Sequence, residues 1–137
     1  MIERIRYIGL EVKDSSFKKF DVKSEGGSIN LEVTPSTVIV RESEASEKTV
    51  FFSIPVKAKM SGDDKMSGDQ VFICEADLDV DFVYEKNENI EYDEKALVDI
   101  TTSHDWYFEN YIAISVKSSL EAMLEHTIFN GIEVPVR

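Results

Sequence analysis

Cysteine is almost missing from this chain. Cys74 is the only one, so no internal disulfide can form and a reducing, cytoplasmic setting is the expectation. Long apolar runs are missing as well. MIERIRYIGL puts charges inside its early apolar stretch, so it does not read as a signal peptide, and nothing approaches transmembrane length. Bases are scarce: 15 Lys and Arg stand against 27 Asp and Glu, for a net charge of −12. Such a field repels nucleic acid and anionic membrane, and it favours either a basic partner or simple solubility. Only two histidines occur, His104 and His126, 22 positions apart at opposite ends of one stretch, too far to share a metal through local spacing. There is no GxGxxG, no P-loop, no nucleophile elbow and no CxxC. A binding protein is therefore expected rather than an enzyme, with no catalytic residue, metal or cofactor.

What is present is enough hydrophobic material, 42% of 137 residues, for one domain spanning 1–137 with a moderate core. Ser103 to His126 is the one segment long and helical enough to cover a sheet. Phe108, Ile112, Val116, Leu120, Met123 and Leu124 recur at spacings of three and four, making one stripe. Tyr107, Tyr111 and Ile114 lie on roughly the opposite side, so the first half is apolar nearly all round. That second side calls for another subunit, a ligand, or a place deep in the domain's own core. Thr102 and Asp105 fit a capping box at the start, and no Pro or Gly interrupts the stretch before Gly131. Residues 92–101 read as a short helix leading in.

Upstream the period changes from three and four to two. Four strands are expected, at about 2–14, 29–40, 49–60 and 70–86. In the first, Ile5 and Tyr7 share one face and Ile8, Leu10 and Val12 the other, with Gly9 at the switch as in a β-bulge. Residues 18–28 read as a loop, and 41–48 as a polar turn. The second strand flips phase at Pro35. The third alternates from Val50 to Met60, with Pro55 marking an edge or bulge. The fourth has the strongest pattern: Phe72, Cys74, Ala76, Leu78, Val80, Phe82 and Tyr84 face one way, and Glu75, Asp77, Asp79, Asp81 and Glu85 the other. Cys74 thus reads as a small buried hydrophobe, and the acidic face as solvated. Between these strands the tetrapeptide Met-Ser-Gly-Asp occurs twice, at 60–63 and 66–69. The spacing of Asp63, Asp64 and Asp69 does not match a calcium loop, so a hairpin loop is expected there. The sum is an α+β domain of two layers, a four-stranded antiparallel sheet covered by a long C-terminal helix.

Three stretches, in order, resemble the SecB family of protein-export chaperones. YIGLEVKDSSF is similar to that family's first strand, and GDQVFICEADLDVDFVYE, with its Phe72 to Glu75 core, to its fourth. The long helix followed by Thr127, Pro135 and Val136 is similar to its main helix and exit. SecB-type chains carry a second C-terminal helix, whereas this sequence ends at Arg137. The two-sided apolar first half of the long helix predicts a homodimer or a dimer of dimers packed partly through Tyr107, Tyr111 and Ile114, and the resemblance implies a homotetramer. It also implies that the outward acidic face docks the motor ATPase SecA, through Asp14, Ile73 and Glu75 here. Lys18 replaces an expected acid, so weakened or absent SecA docking is expected. Solitary SecB-like chaperones attached to toxin–antitoxin modules belong to the same family, which makes a dedicated antitoxin-like client the alternative partner.

Two functions of different class follow. The first is a holdase that takes unfolded or newly made polypeptides on apolar grooves, for export or for a toxin–antitoxin module. The second is a carrier holding a small apolar ligand between sheet and helix. The expected client-binding residues are Phe17 and Phe20 beside the first loop, Phe82 and Tyr84 ending the fourth strand, and Trp106 and Phe108 opening the helix. Aromatics offer large contact area with few rotors to freeze. Phe82 and Phe108 serve equally well as core residues.

Overall fold

A computed structural model describes residues 5–24, 26–41, 49–85 and 94–135, with the side chain of Glu94 left aside. Residues 2–4 of the expected first strand, most of the polar turn at 41–48, Lys86, residues 92–93 and Val136 lie outside these. Five strands, β1 (Ile5–Lys19), β2 (Gly27–Pro35), β3 (Ile39–Val40), β4 (Thr49–Asp64) and β5 (Gln70–Glu85), are followed by α1 (Glu94–Ser103) and α2 (Asp105–Leu124). The sheet is antiparallel throughout, in the order β1-β5-β4-β2, and β3 pairs with β4 beyond the end of β2. The expected second strand is thus two, because Pro35 cannot donate to a ladder and the chain leaves the sheet at Ser36 to Val38 before returning. Only two residues make β3, which is why it does not register as a period.

The phase change in β1 has a structural remedy. The pairing with β5 slips between Tyr7 and Gly9, leaving Ile8 without a partner. Because of that slip Ile5, Tyr7, Leu10 and Val12 all fall on the same face, opposite Tyr84, Phe82, Val80 and Leu78. Ile8 is the residue turned out, 52% exposed. A second slip between Val12 and Asp14 does the same for Lys13, and carries the strand on to Lys19 through residues expected to be loop. β1 is therefore a long, twice-bulged strand, running past the boundary near 14.

The inner face packs beneath α2. Phe108, Ile112, Val116, Leu120 and Leu124 are buried as the stripe predicts, and Phe52, Met60, Leu78, Val80 and Phe82 are buried below them. Each large side chain removed from water in this way contributes about 1.5–3 kcal/mol. The stripe also holds Ser115 and Ser119, which the apolar period does not include. Ser115 Oγ bonds Tyr7 Oη at 3.0 Å, so its polar group is satisfied at the helix–sheet contact. Tyr7 stacks on Tyr111 at 4.8 Å, and Tyr107 Oη donates to the Ile5 carbonyl at 3.0 Å. These two helix tyrosines are thus spent largely on the chain's own edge strand.

α2 does not begin with a capping box. Its N-cap is His104, with no side-chain cap bond. The hydroxyls of Thr101 and Thr102 donate to the Val98 carbonyl, and that of Ser103 to the Asp99 carbonyl. The expected cap belongs to the end of α1, because a hydroxyl one turn below a helical carbonyl reaches it more readily than the next helix's amides. The 103–126 helix is accordingly two residues shorter at each end.

The outer face is the second departure. Its acidic row is not simply solvated. Arg41, emerging from β3, reaches Glu11 at 2.5 Å, Asp79 at 3.1 Å and Asp81 at 3.2 Å, and its Nε donates to Ser53 Oγ at 2.7 Å. Lys13, the residue bulged out of β1, adds a contact of 3.4 Å to Asp79. The hydrogen bond from Arg41 holds the Glu11 carboxyl below its usual range, while burial raises that of Asp81. The alternation alone places the carboxylates correctly but says nothing of a cation delivered from a different strand.

Candidate functional site

Helix α2 packs mainly on β5, and less on β1 and β4. β2 presents Ile29, Leu31 and Val33 to the inner face, opposite Gly62, Met60 and Ala58. Ile29 is 36% exposed, and Leu31 and Val33 are half-buried. No strand pairs with the far edge of β2 among the described residues. The result is an apolar trough between an open sheet edge and the flank of a helix, and each end widens into a cavity.

The first cavity, about 490 Å³, lies where the β1–β2 loop meets the chain after α2. Its walls include Val22, Ile29, Phe72, Phe129 and Ile132, with Lys19 and Lys23 among the lining. Phe129 packs on Phe72 at 4.5 Å, and Phe17 lies over both at 6.0 and 6.3 Å. The C-terminal segment folds back because Gly131 takes a left-handed φ of 95° and Val134 donates its amide to Glu121. The second cavity, about 410 Å³, sits at the other end of β2. Val38, Ile54, Val98, Phe108 and Ile112 line it, together with Asp105 and Glu109 at the first turn of α2.

The expected client-binding residues divide between the surroundings of these places and the core. Phe17 packs on Phe72 and Phe129, two walls of the first cavity, without lining it, and Phe20 follows in sequence with its amide bonded to the Val71 carbonyl and Lys18 Nζ 5.0 Å above its ring. Trp106, 64% exposed, packs edge-on against Tyr107 and does not line the second cavity, although its neighbour Asp105 does. Phe82 and Tyr84 are fully buried and Phe108 is 2% exposed, so these three are core residues in this conformation rather than a surface for a client. Phe108 touches the second cavity only as its inner wall. The reason is the alternation itself: it puts Phe82 and Tyr84 beneath the helix, as its deepest layer. Sequence reasoning did not single out Val22, Phe129 and Ile132, and it took Ile29 and Phe72 only as strand residues. The available signal was aliphatic and aromatic residues inside segments otherwise polar or turn-like, KKFDVKSEGG and IFNGIEVPVR.

Asp14, Ile73 and Glu75 do come together on the outer face. Asp14 pairs with Asp77, Ser16 with Glu75 and Lys18 with Ile73, so Lys18 stands in the same row. Of the expected interface residues, Tyr107 and Tyr111 are half-buried against β1, while Ile114 is 49% exposed. Cys74 is fully buried beside Met123, with Sγ 3.8 Å from Sδ, and burial pushes its thiol up to about 11. Among the described residues no group of His, Cys, Asp and Glu could hold a metal ion, and no helix is long and apolar enough to cross a membrane.

A four-stranded antiparallel sheet with a short fifth strand, crossed on one face by a long C-terminal helix, is the fold of SecB-like proteins. The likeness is concrete for one solved structure, the SecB-like chaperone Rv1957 of Mycobacterium tuberculosis in complex with a ChAD peptide from the Rv1956 HigA1 antitoxin. The two superpose with a TM-score of 0.66 over 98% of this chain and 91% of that one, at 10% sequence identity. No protein-family model matches the sequence, and no curated protein matches it.

Proposed function

We propose that this protein is a SecB-like chaperone that holds non-native polypeptide, as an extended segment, in the trough along β2. The observation that carries the reading is the apolar row of exposed Ile29 and half-buried Leu31 and Val33 on an unpaired strand edge, with an apolar cavity near each end. Such an edge offers backbone hydrogen bonds to any sequence, while cavities take side chains loosely. A small-molecule carrier needs one enclosed site, and the two openings some strand-length apart suit a chain better. The solved neighbour's peptide from an antitoxin makes a dedicated client of that kind the natural partner class. Lys18, standing beside Ile73 where the resemblance implies an acid, speaks against the export motor SecA.

The test is suppression of aggregation of several unrelated unfolded proteins. Ile29→Ser combined with Trp106→Ala alters one exposed apolar residue that lines the first cavity and one in the first turn of α2, next to the Asp105 that lines the second, and leaves the core untouched. With about 1.5–3 kcal/mol per well-buried contact, the pair is expected to weaken client holding at least tenfold, with an unchanged circular dichroism spectrum. Wild-type protein that suppresses nothing sinks the reading. The same preparations are expected to scatter light as two or four chains of 15.6 kDa, joined at Ile114 and the exposed side of β1.

A further inference from the structure

The two ends of the trough differ in charge. Lys19 and Lys23 line the first cavity, on a chain whose net charge is −12. Asp63 is the only acidic residue lining it among the described ones, and its carboxylate accepts a hydrogen bond of 2.9 Å from Asn30 on the outer row. Asp105 and Glu109 line the second cavity, with no cation among its lining residues. Neither these lysines nor these carboxylates form an ion pair among the described residues. From Ile29 at one cavity to Pro35 at the other is six residues of β2, or about 20 Å at ~3.3 Å per residue. Salt screens charges over about 8 Å in physiological solution, so each end reads its own neighbourhood independently.

We infer that the trough selects its client by charge polarity. The preferred occupant is an extended apolar segment of about seven residues, with a carboxylate side chain at the end that meets Lys19 and Lys23 and a cationic side chain at the end that meets Asp105 and Glu109. Both cavity floors are apolar, so the run between supplies the contact area and the flanks set which run is taken and which way round it lies. A chain can add to an open strand edge in either direction. The determinant is therefore opposite charge at the two ends, whichever end comes first in sequence. This inference rests on the client-holding reading above.

The experiment uses four end-blocked fluorescent peptides sharing one seven-residue apolar core and flanked by Glu/Lys, Lys/Glu, Glu/Glu or Lys/Lys. Binding to the full-length protein is followed by anisotropy at low and high salt. Both mixed peptides are expected to bind about two- to fivefold more tightly per matched end than either like-charged peptide, the scale of an exposed ion pair, and salt should erase the difference. In the Lys19→Glu, Lys23→Glu variant both ends are acidic, and the Lys/Lys peptide should become the best of the four. Equal binding of all four, or an unchanged ranking in that variant, overturns the inference. Aggregation suppression in the same preparations separates the two levels. If it persists without a charge preference, only the polarity fails; if it is absent in the wild type, the holding function fails and the polarity with it.

Discussion

The two copies of Met-Ser-Gly-Asp share every residue and almost nothing else. In the first copy Met60 is fully buried opposite Cys74, and Gly62 pairs with Phe72 in the body of the sheet. In the second copy Met66 is 90% exposed, and Gly68 carries a left-handed φ of 74° in the β4–β5 turn. The glycines are needed for opposite reasons. A Cβ on Gly62 would fall 2.4 Å from Cε1 of Phe72, whereas one on Gly68 meets nothing within 4 Å and is opposed only by the backbone. What separates the copies is their partner strand: six residues further along, there is no longer a Phe72 or a Cys74 to face. Tertiary pairing, not the tetrapeptide, decides which copy is strand.

The same substitution made in both copies separates them most. Met60→Ala opens a hole in the core and should cost about 2–5 kcal/mol, while Met66→Ala should stay within about 0.5 kcal/mol of wild type. Denaturant unfolding of the two variants reads the difference directly, and equal losses would mean that the hairpin is shifted in register. Next in size is the glycine pair. Gly62→Ala pushes on a ring already held between Phe17 and Phe129, so about 1–3 kcal/mol is expected, as for overpacked sites. Gly68→Ala should cost only about 1 kcal/mol, the penalty of a left-handed alanine. If Gly62→Ala also reduces client binding while Gly68→Ala does not, the Phe72 wall of the first cavity is coupled to the trough.

The repeat also shows where reading the sequence stops. Period is decided by each residue's own face, so the α2 stripe from Phe108 to Leu124, the β5 alternation and the α+β layering were all legible. The bulge at Ile8 was legible too, because a slip leaves its mark as a phase change. Hidden were features made by two distant segments. The Arg41 clamp on Glu11, Asp79 and Asp81 joins three elements, and each cavity is walled by residues from several strands, helices and loops that only the fold brings together. Of the client-facing set, Phe17 and Trp106 stay exposed, whereas Phe82 and Tyr84 by their alternation, and Phe108 by its place on the helix stripe, belong to the core. The unpaired edge of β2 could not be read at all, since strand order is a property of the assembled sheet.

A pH-dependent effect is expected at the junction between the copies. Asp64 is the last residue of β4, and its carboxylate accepts from the amides of Met66 and Ser67 and from the Ser67 hydroxyl, at 3.2, 2.9 and 2.9 Å. The Ser24 hydroxyl first, and then these groups, hold its carboxyl at about 2, against an ordinary 3.8. A depressed folded value means that the unfolded chain takes up the proton first as acid is added. The stability conferred by this carboxylate is therefore complete above about pH 4 and is lost as the pH falls towards about 2. Asp64→Asn keeps an acceptor in the turn and removes the titration. Thermal unfolding of wild type and variant between about pH 5 and pH 2 should therefore converge on acidification, with wild type more stable at the upper end and its advantage gone at the lower. Parallel curves would show that the turn of the second copy is held by Gly68 and the strand pairing alone.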